Sequence, residues 1–158
     1  MELRCKSKLY KVDTETKTET ALFGDEKSND SYPAVSPDGK RLAYVAQSFD
    51  NGAMNFRSVI KIADVTGGEI KKAQKEFTEN FSYGFDWSAD GKSLIIVSTR
   101  SVPNLAEMSL TNGELKPITN FSTGEIMNFA ASHDGKKIYV VRAVKNSDLI
   151  LITDTRKN

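Results

Sequence analysis

Residues able to do chemistry are few in this chain. One His, His133, and one Cys, Cys5, occur in 158 residues, so neither a Cys/His zinc cluster nor an internal disulfide can be assembled. Serine and aspartate do stand together at a fixed spacing, as Ser36-Pro37-Asp38, Ser88-Ala89-Asp90 and Ser132-His133-Asp134. A nucleophilic triad would also need a base beside the serine and an acid orienting that base. No Gly-x-Ser-x-Gly elbow, glycine-rich phosphate loop or His-Glu-x-x-His segment accompanies them. The aspartates lie in separate segments and not at calcium-loop spacing. Each Asp instead precedes Gly and Lys: Asp38-Gly39-Lys40, Asp90-Gly91-Lys92 and Asp134-Gly135-Lys136. Gly takes a positive φ without a Cβ clash, and Asp can bond the backbone two residues on, so each unit reads as a tight turn between strands. The Ser two positions before each Asp can supply a further local hydroxyl bond. His133 then fills a turn position held elsewhere by Pro37 and Ala89. No catalytic residue, metal or cofactor is expected.

The elements around these turns repeat as well. Asp38, Asp90 and Asp134 are spaced 52 and 44 residues apart, in or near the roughly 40–50 residue period of propeller blades. Five residues before them stand Pro33, Phe85 and Phe129. After them run Leu42-Ala43-Tyr44-Val45, Leu94-Ile95-Ile96-Val97 and Ile138-Tyr139-Val140-Val141. These runs do not alternate with polar residues as a half-solvated strand would. Both faces are expected to be buried, which requires sheets sandwiched between other sheets.

The predicted fold is therefore all-β: antiparallel four-stranded blades of a β-propeller, a little over three in number. Residues 1–24 give the outer strands of an incomplete blade, near Leu9–Asp13 and Glu19–Phe23, and Gly24 to Ser31 reads as a connector. One blade occupies 32–77, closing with a strand at Glu69–Ala73 after the turn Thr66-Gly67-Gly68. A second occupies 83–119, turning at Thr111-Asn112-Gly113. An incomplete last blade occupies 126–154, ending in a strand at Asp148–Thr153. Between the strands of the first blade, Phe49 to Arg57 reads as a loop longer than its counterparts.

The three Ser-x-Asp-Gly-Lys units resemble the TolB-type propeller repeat, whose pattern is roughly Pro-x-aromatic-Ser-Pro-Asp-Gly-Lys followed by an apolar strand. Tyr32-Pro33-Ala34-Val35-Ser36-Pro37-Asp38-Gly39-Lys40 matches it best. Trp87 fills the aromatic position, where Val35 and Ala131 depart from it, and reads as a blade-packing side chain. The closing Asp148 to Asp154 resembles the C-terminal end of TolB-like propellers found behind bacterial winged-helix regulators and kinases. This resemblance is a fold signature and implies no catalytic residues.

Lys plus Arg number 22 against 21 Asp plus Glu, so the charge balance offers no general reason to bind nucleic acid or anionic membrane. No apolar run approaches the ~20 residues of a membrane helix, and the first residues lack the apolar core of a signal peptide. The compartment is periplasmic if an export signal lies in a longer precursor and otherwise cytoplasmic. Asn80-Phe81-Ser82 and Asn120-Phe121-Ser122 read as connectors before inner strands more than as glycosylation sites.

Fold alone does not set function. The leading expectation is a non-catalytic module for a protein or peptide partner, part of a larger bacterial protein. The alternative is the gating propeller of a prolyl-oligopeptidase-like serine hydrolase whose catalytic domain is absent. A propeller lyase or glycosidase would need clustered His or paired carboxylates. Phe49, Met54, Phe56 and Arg57 are the expected contact residues, being types enriched at interfaces or on adaptable surfaces. A closed ring needs roughly 4–8 blades, so self-association through open blade edges is expected too, the simplest product being a dimer of two half-rings.

Overall fold

The computed structural model describes residues 7–22, 28–50, 55–65, 75–77, 81–99 and 102–144. Every element among them is a strand, and every pairing is antiparallel. Two four-stranded sheets follow chain order. The first comprises β3 (Ser28–Val35), β4 (Arg41–Asp50), β5 (Asn55–Asp64) and β6 (Lys75–Phe77). The second comprises β7 (Phe81–Trp87), β8 (Ser93–Ser98), β9 (Asn104–Ser109) and β10 (Leu115–Pro117). Two-stranded sheets flank them: β1 (Tyr10–Val12) with β2 (Glu19–Ala21), and β11 (Glu125–Ala131) with β12 (Ile138–Ala143). The first strand of the second sheet, β7, contacts both β3 and β11, so the innermost strands of successive units lie side by side. This is a partial β-propeller.

Burial follows the repeat. Leu94 and Ile96 of β8 pack with Ala43, Ile60 and Ile62 of the first blade, whereas Ile95 and Val97 pack with Ile126, Ile138 and Val140 of the last unit. One strand thus feeds two cores because its alternate residues point at different neighbours, and no polar residue is needed on either face. In the first blade Leu42, Tyr44, Ala46 and Val59 pack with Leu9 and Leu22, which flank β1 and β2.

Some expectations are corrected. The last unit does not bury both faces: Ile138 and Val140 turn inward, while Tyr139 and Val141 are exposed, because no sheet among the described residues lies beyond them. Ser28 to Ser31 are strand, paired with Val45 to Ser48, so the connector is shorter than its polarity suggested. Phe49, Phe56 and Arg57 are not in a loop. The β4–β5 ladder continues through Ser48↔Arg57, Phe49↔Phe56 and Asp50↔Asn55, consistent with the strand preference of aromatic residues. The strand pairing with β5 on its outer side is Lys75–Phe77. The expected strands at Glu69–Ala73 and Asp148–Thr153, the turn Thr66-Gly67-Gly68, and Cys5, Met54 and Asn80 lie outside the described residues.

Candidate interaction surface

The three Asp-Gly units fold into the same turn. Ser36 N–H donates to the Arg41 carbonyl at 2.8 Å, and Gly39 N–H donates to the Ser36 carbonyl at 2.8 Å. The equivalent pairs recur at Ser88–Ser93 and Gly91–Ser88, and at Ser132–Lys137 and Gly135–Ser132. Gly39, Gly91 and Gly135 sit at φ 70, 67 and 68, the left-handed region that glycine adopts without strain. Within each turn the serine hydroxyl donates to the Asp carboxylate, at 2.6, 2.7 and 2.6 Å. The same carboxylate oxygen accepts the N–H of Lys40, Lys92 or Lys136 at 3.1, 3.0 and 3.1 Å. The serine oxygen in turn accepts from Arg41, Ser93 or Lys137 N–H. The serines are therefore committed to backbone geometry, and exposed His133 lies on the turn between its Ser and Asp.

These donors hold all three carboxyls below the ordinary aspartate range, chiefly the Ser36 hydroxyl for Asp38, the Lys92 N–H for Asp90 and the Ser132 hydroxyl for Asp134. A depressed folded-state pKa gives stability that is present above the unfolded value of 3.8 and lost as pH falls through the folded value. Melting temperature is expected to decline with acid below about pH 4, and Asp→Asn replacement at 38, 90 and 134 should flatten that decline. Thermal melts across this range check it. An identical slope in the triple variant would assign the acid sensitivity elsewhere.

Contacts between blades use equivalent positions. Trp87, buried three residues before Asp90, donates its indole N–H to the Ala34 carbonyl at 2.9 Å. Arg41 lies over the Trp87 ring at 4.9 Å and donates to the Gly91 carbonyl at 2.7 Å. At the next junction Ala131, three residues before Asp134, donates its N–H to Asp86 at 3.2 Å. Sequence reasoning placed Trp87 in packing but missed Arg41 and Asp86, whose roles depend on the neighbouring blade. It also missed Tyr32, held at φ 52 in a bulged stretch of β3 with its ring 3.4 Å from where a Cβ on Gly84 would stand. A third omission is Asn104, whose amide joins Val102, Thr119 and Phe121.

The expected contact residues are brought to one place only in part. Phe49, Phe56 and Arg57 belong to the end of the β4–β5 hairpin, opposite in the sheet to the Asp38 turn. Its ladder is four pairs longer than that of β8–β9. The described residues hold no group of three His, Cys, Asp or Glu placed to share a metal ion, and no helix among them is long and apolar enough to cross a membrane.

The strand order, shared inner-strand contacts and repeated turns define a partial β-propeller. No family model matches the chain. Among solved structures it is similar to TolB from Acinetobacter baumannii, with 26% identity and a TM-score of 0.65 over 89% of this chain and 33% of that one. Puromycin hydrolase shares the fold at 22% identity and a TM-score of 0.59, over 81% of this chain and 21% of that one. Among curated proteins, dipeptidyl-peptidase 5 of Porphyromonas gingivalis is 28% identical over 91 residues, which are 57% of this chain. The chain spans a third of the TolB chain, and the peptidase match takes in only 13% of the peptidase.

Proposed function

We propose that this chain is a non-catalytic propeller module that binds a protein or peptide partner through the end of the β4–β5 hairpin, with Phe49, Met54, Phe56 and Arg57 as contacts. The observation behind it is the four-pair extension of that ladder beyond the length seen in β8–β9. An extended strand ladder on a packed scaffold offers backbone at low ordering cost, and the residue types are those enriched at interfaces. The serines and aspartates of the repeat are engaged in their own turns and support no hydrolytic chemistry here.

Replacing residues 48–57 by an Asn-Gly turn should leave the blades folded and abolish capture of a partner isolated with the unaltered chain. Retained capture by the trimmed chain would refute the assignment. The identity with dipeptidyl-peptidase 5 favours a second reading, the gating propeller of a serine hydrolase. A Gly-x-Ser-x-Gly segment in a longer product of the same gene would decide for it.

A further inference from the structure

Four steps in which Asp or Asn precedes Gly lie among the described residues: Asp38-Gly39, Asp90-Gly91, Asn112-Gly113 and Asp134-Gly135. With no Cβ on the glycine, its backbone nitrogen can reach the side-chain Cγ of the residue before it and close a five-membered imide. In all four turns the side-chain Oδ1 accepts the backbone N–H two residues on. The donors are Lys40, Lys92 and Lys136 at 3.1, 3.0 and 3.1 Å, and Glu114 at 3.1 Å. The four glycines hold φ 70, 67, 74 and 68. The turns thus share a geometry and differ in the group at its centre.

At Asp38, Asp90 and Asp134 that group is a carboxylate. An anion repels the incoming nitrogen and cannot expel oxide, so imide closure waits on the neutral acid. Serine hydroxyls donate to the same oxygens at 2.6, 2.7 and 2.6 Å, and these bonds with the Lys N–H donors keep the neutral acid scarce. Each of these turns also joins the two innermost strands of its unit, through ladders of four to six register pairs.

At Asn112 the group is a neutral carboxamide, an electrophile at any ordinary pH. Asn112 is exposed, and its Nδ2 donates to Glu114 Oε2 at 3.2 Å. The Glu114 N–H, already on Oδ1, is placed to take up the negative charge that this oxygen gains when Cγ is attacked. One backbone bond holds the nucleophile back, from Gly113 N–H to the Ser109 carbonyl at 2.8 Å. The hairpin concerned is the outer one: β10 is at the edge of its sheet, with Leu115, Lys116 and Pro117 alone paired to β9. Opening so short an edge costs less than parting the inner strands.

We propose that Asn112 is a self-modification site, deamidating through an imide with Gly113 while the three Asp-Gly turns stay intact. The Gly113 nitrogen gives its proton to solvent and bonds Cγ. The Cγ–Nδ2 bond breaks, and Nδ2 takes a proton from solvent and leaves as ammonia. Water then opens the ring. Addition at Cγ breaks the new N–Cγ bond and gives aspartate. Addition at the Asn112 main-chain carbonyl breaks the original peptide bond and gives isoaspartate, whose chain runs on through the side chain. Water is the sole co-reactant, nothing is oxidised or reduced, and either product carries a new negative charge beside Glu114. Isoaspartate also adds a carbon to the path of the turn. A Cβ on Gly113 would stand 3.5 Å from the Phe77 ring, so the lengthened turn shifts against the preceding blade. The reaction ages the outer rim of the junction between the two complete blades.

The test holds the full 158-residue chain in heavy-oxygen water at mildly alkaline pH, one sample folded and one unfolded in urea. Imide hydrolysis places a solvent oxygen in the product at each site. Cleavage after glutamate, carried out in ordinary water, releases residues 108–114, in which Asn112 is the one asparagine and no aspartate occurs. The folded chain should label 108–114 before the peptides carrying Asp38, Asp90 and Asp134. Folding should slow labelling at those aspartates by a factor about tenfold or more greater than at Asn112, equivalent to about 1.4 kcal/mol of opening free energy. Asn112→Gln keeps a carboxamide but must close a six-membered ring, and should lose the label with β-sheet circular dichroism unchanged. A folded chain unlabelled at 108–114 after the unfolded sample has fully converted would overturn the proposal. So would protection at Asn112 as large as at the aspartates, or label that persists in Asn112→Gln.

Discussion

Trp87→Ala is expected to cost about 3–5 kcal/mol, the range for removing a buried large aromatic, and to lower the melting temperature by roughly 10 °C at this chain length. Three losses coincide at this residue. Its ring fills the core between the first two blades with Ala43, Ile60, Leu94 and Ile96. Its indole N–H is bonded to the Ala34 carbonyl, so truncation leaves a half-buried acceptor without that donor. The Arg41 guanidinium loses the ring it lies over. Because two sheets share the side chain, both should melt together in a single weakened transition. A loss under about 1 kcal/mol, as for a surface residue, would show that the sheets are not held through Trp87.

Gly91→Val should be the second severe lesion, and Gly39→Val its internal control. Both glycines hold left-handed φ, at 67 and 70, so each substitution carries a backbone strain of about 1–2 kcal/mol for an L residue, more for a β-branched one. They differ in surroundings. A Cβ on Gly39 meets nothing within 4 Å, whereas one on Gly91 stands 3.0 Å from an Arg41 guanidinium nitrogen. The Arg41 guanidinium must then shift, which loosens its bond to the Gly91 carbonyl and its contact with the Trp87 ring. Denaturant titration of the two variants should place Gly91→Val below Gly39→Val by about 1 kcal/mol or more. Equal losses would mean that the turn matters only locally.

The turns were legible in the sequence because everything that builds them lies within six residues: a Ser hydroxyl, an Asp carboxylate, a Gly at positive φ. The apolar runs Leu42 to Val45 and Leu94 to Val97 announced sheets covered on both faces for a similarly direct reason, since every residue faces a core. The same rule misled at Ile138 to Val141. Its pattern matches the others, and only the absence of a neighbouring sheet among the described residues leaves Tyr139 and Val141 exposed. Phe49 to Arg57 was misread as a loop because Asp50-Asn51-Gly52 is rich in turn formers. The ladder instead runs on to Asp50 before reversing. Arg41, Asp86 and Asn104 could not be found from local pattern, because their partners lie 50, 45 and up to 17 residues away.

Hydrogen exchange at the indole N–H of Trp87, the one tryptophan of the chain, tests most directly whether successive repeats stack face to face as blades. That proton reports on the Ala34 carbonyl of the preceding sheet, 53 residues away, and on nothing within its own strand. Stacked blades predict an indole resonance protected to the same degree as the backbone amides of β8, since opening it requires the sheets to part. An indole that exchanges at the rate of free tryptophan while the β7–β8 amides stay protected would mean that the sheets form without packing as blades, and would contradict the propeller.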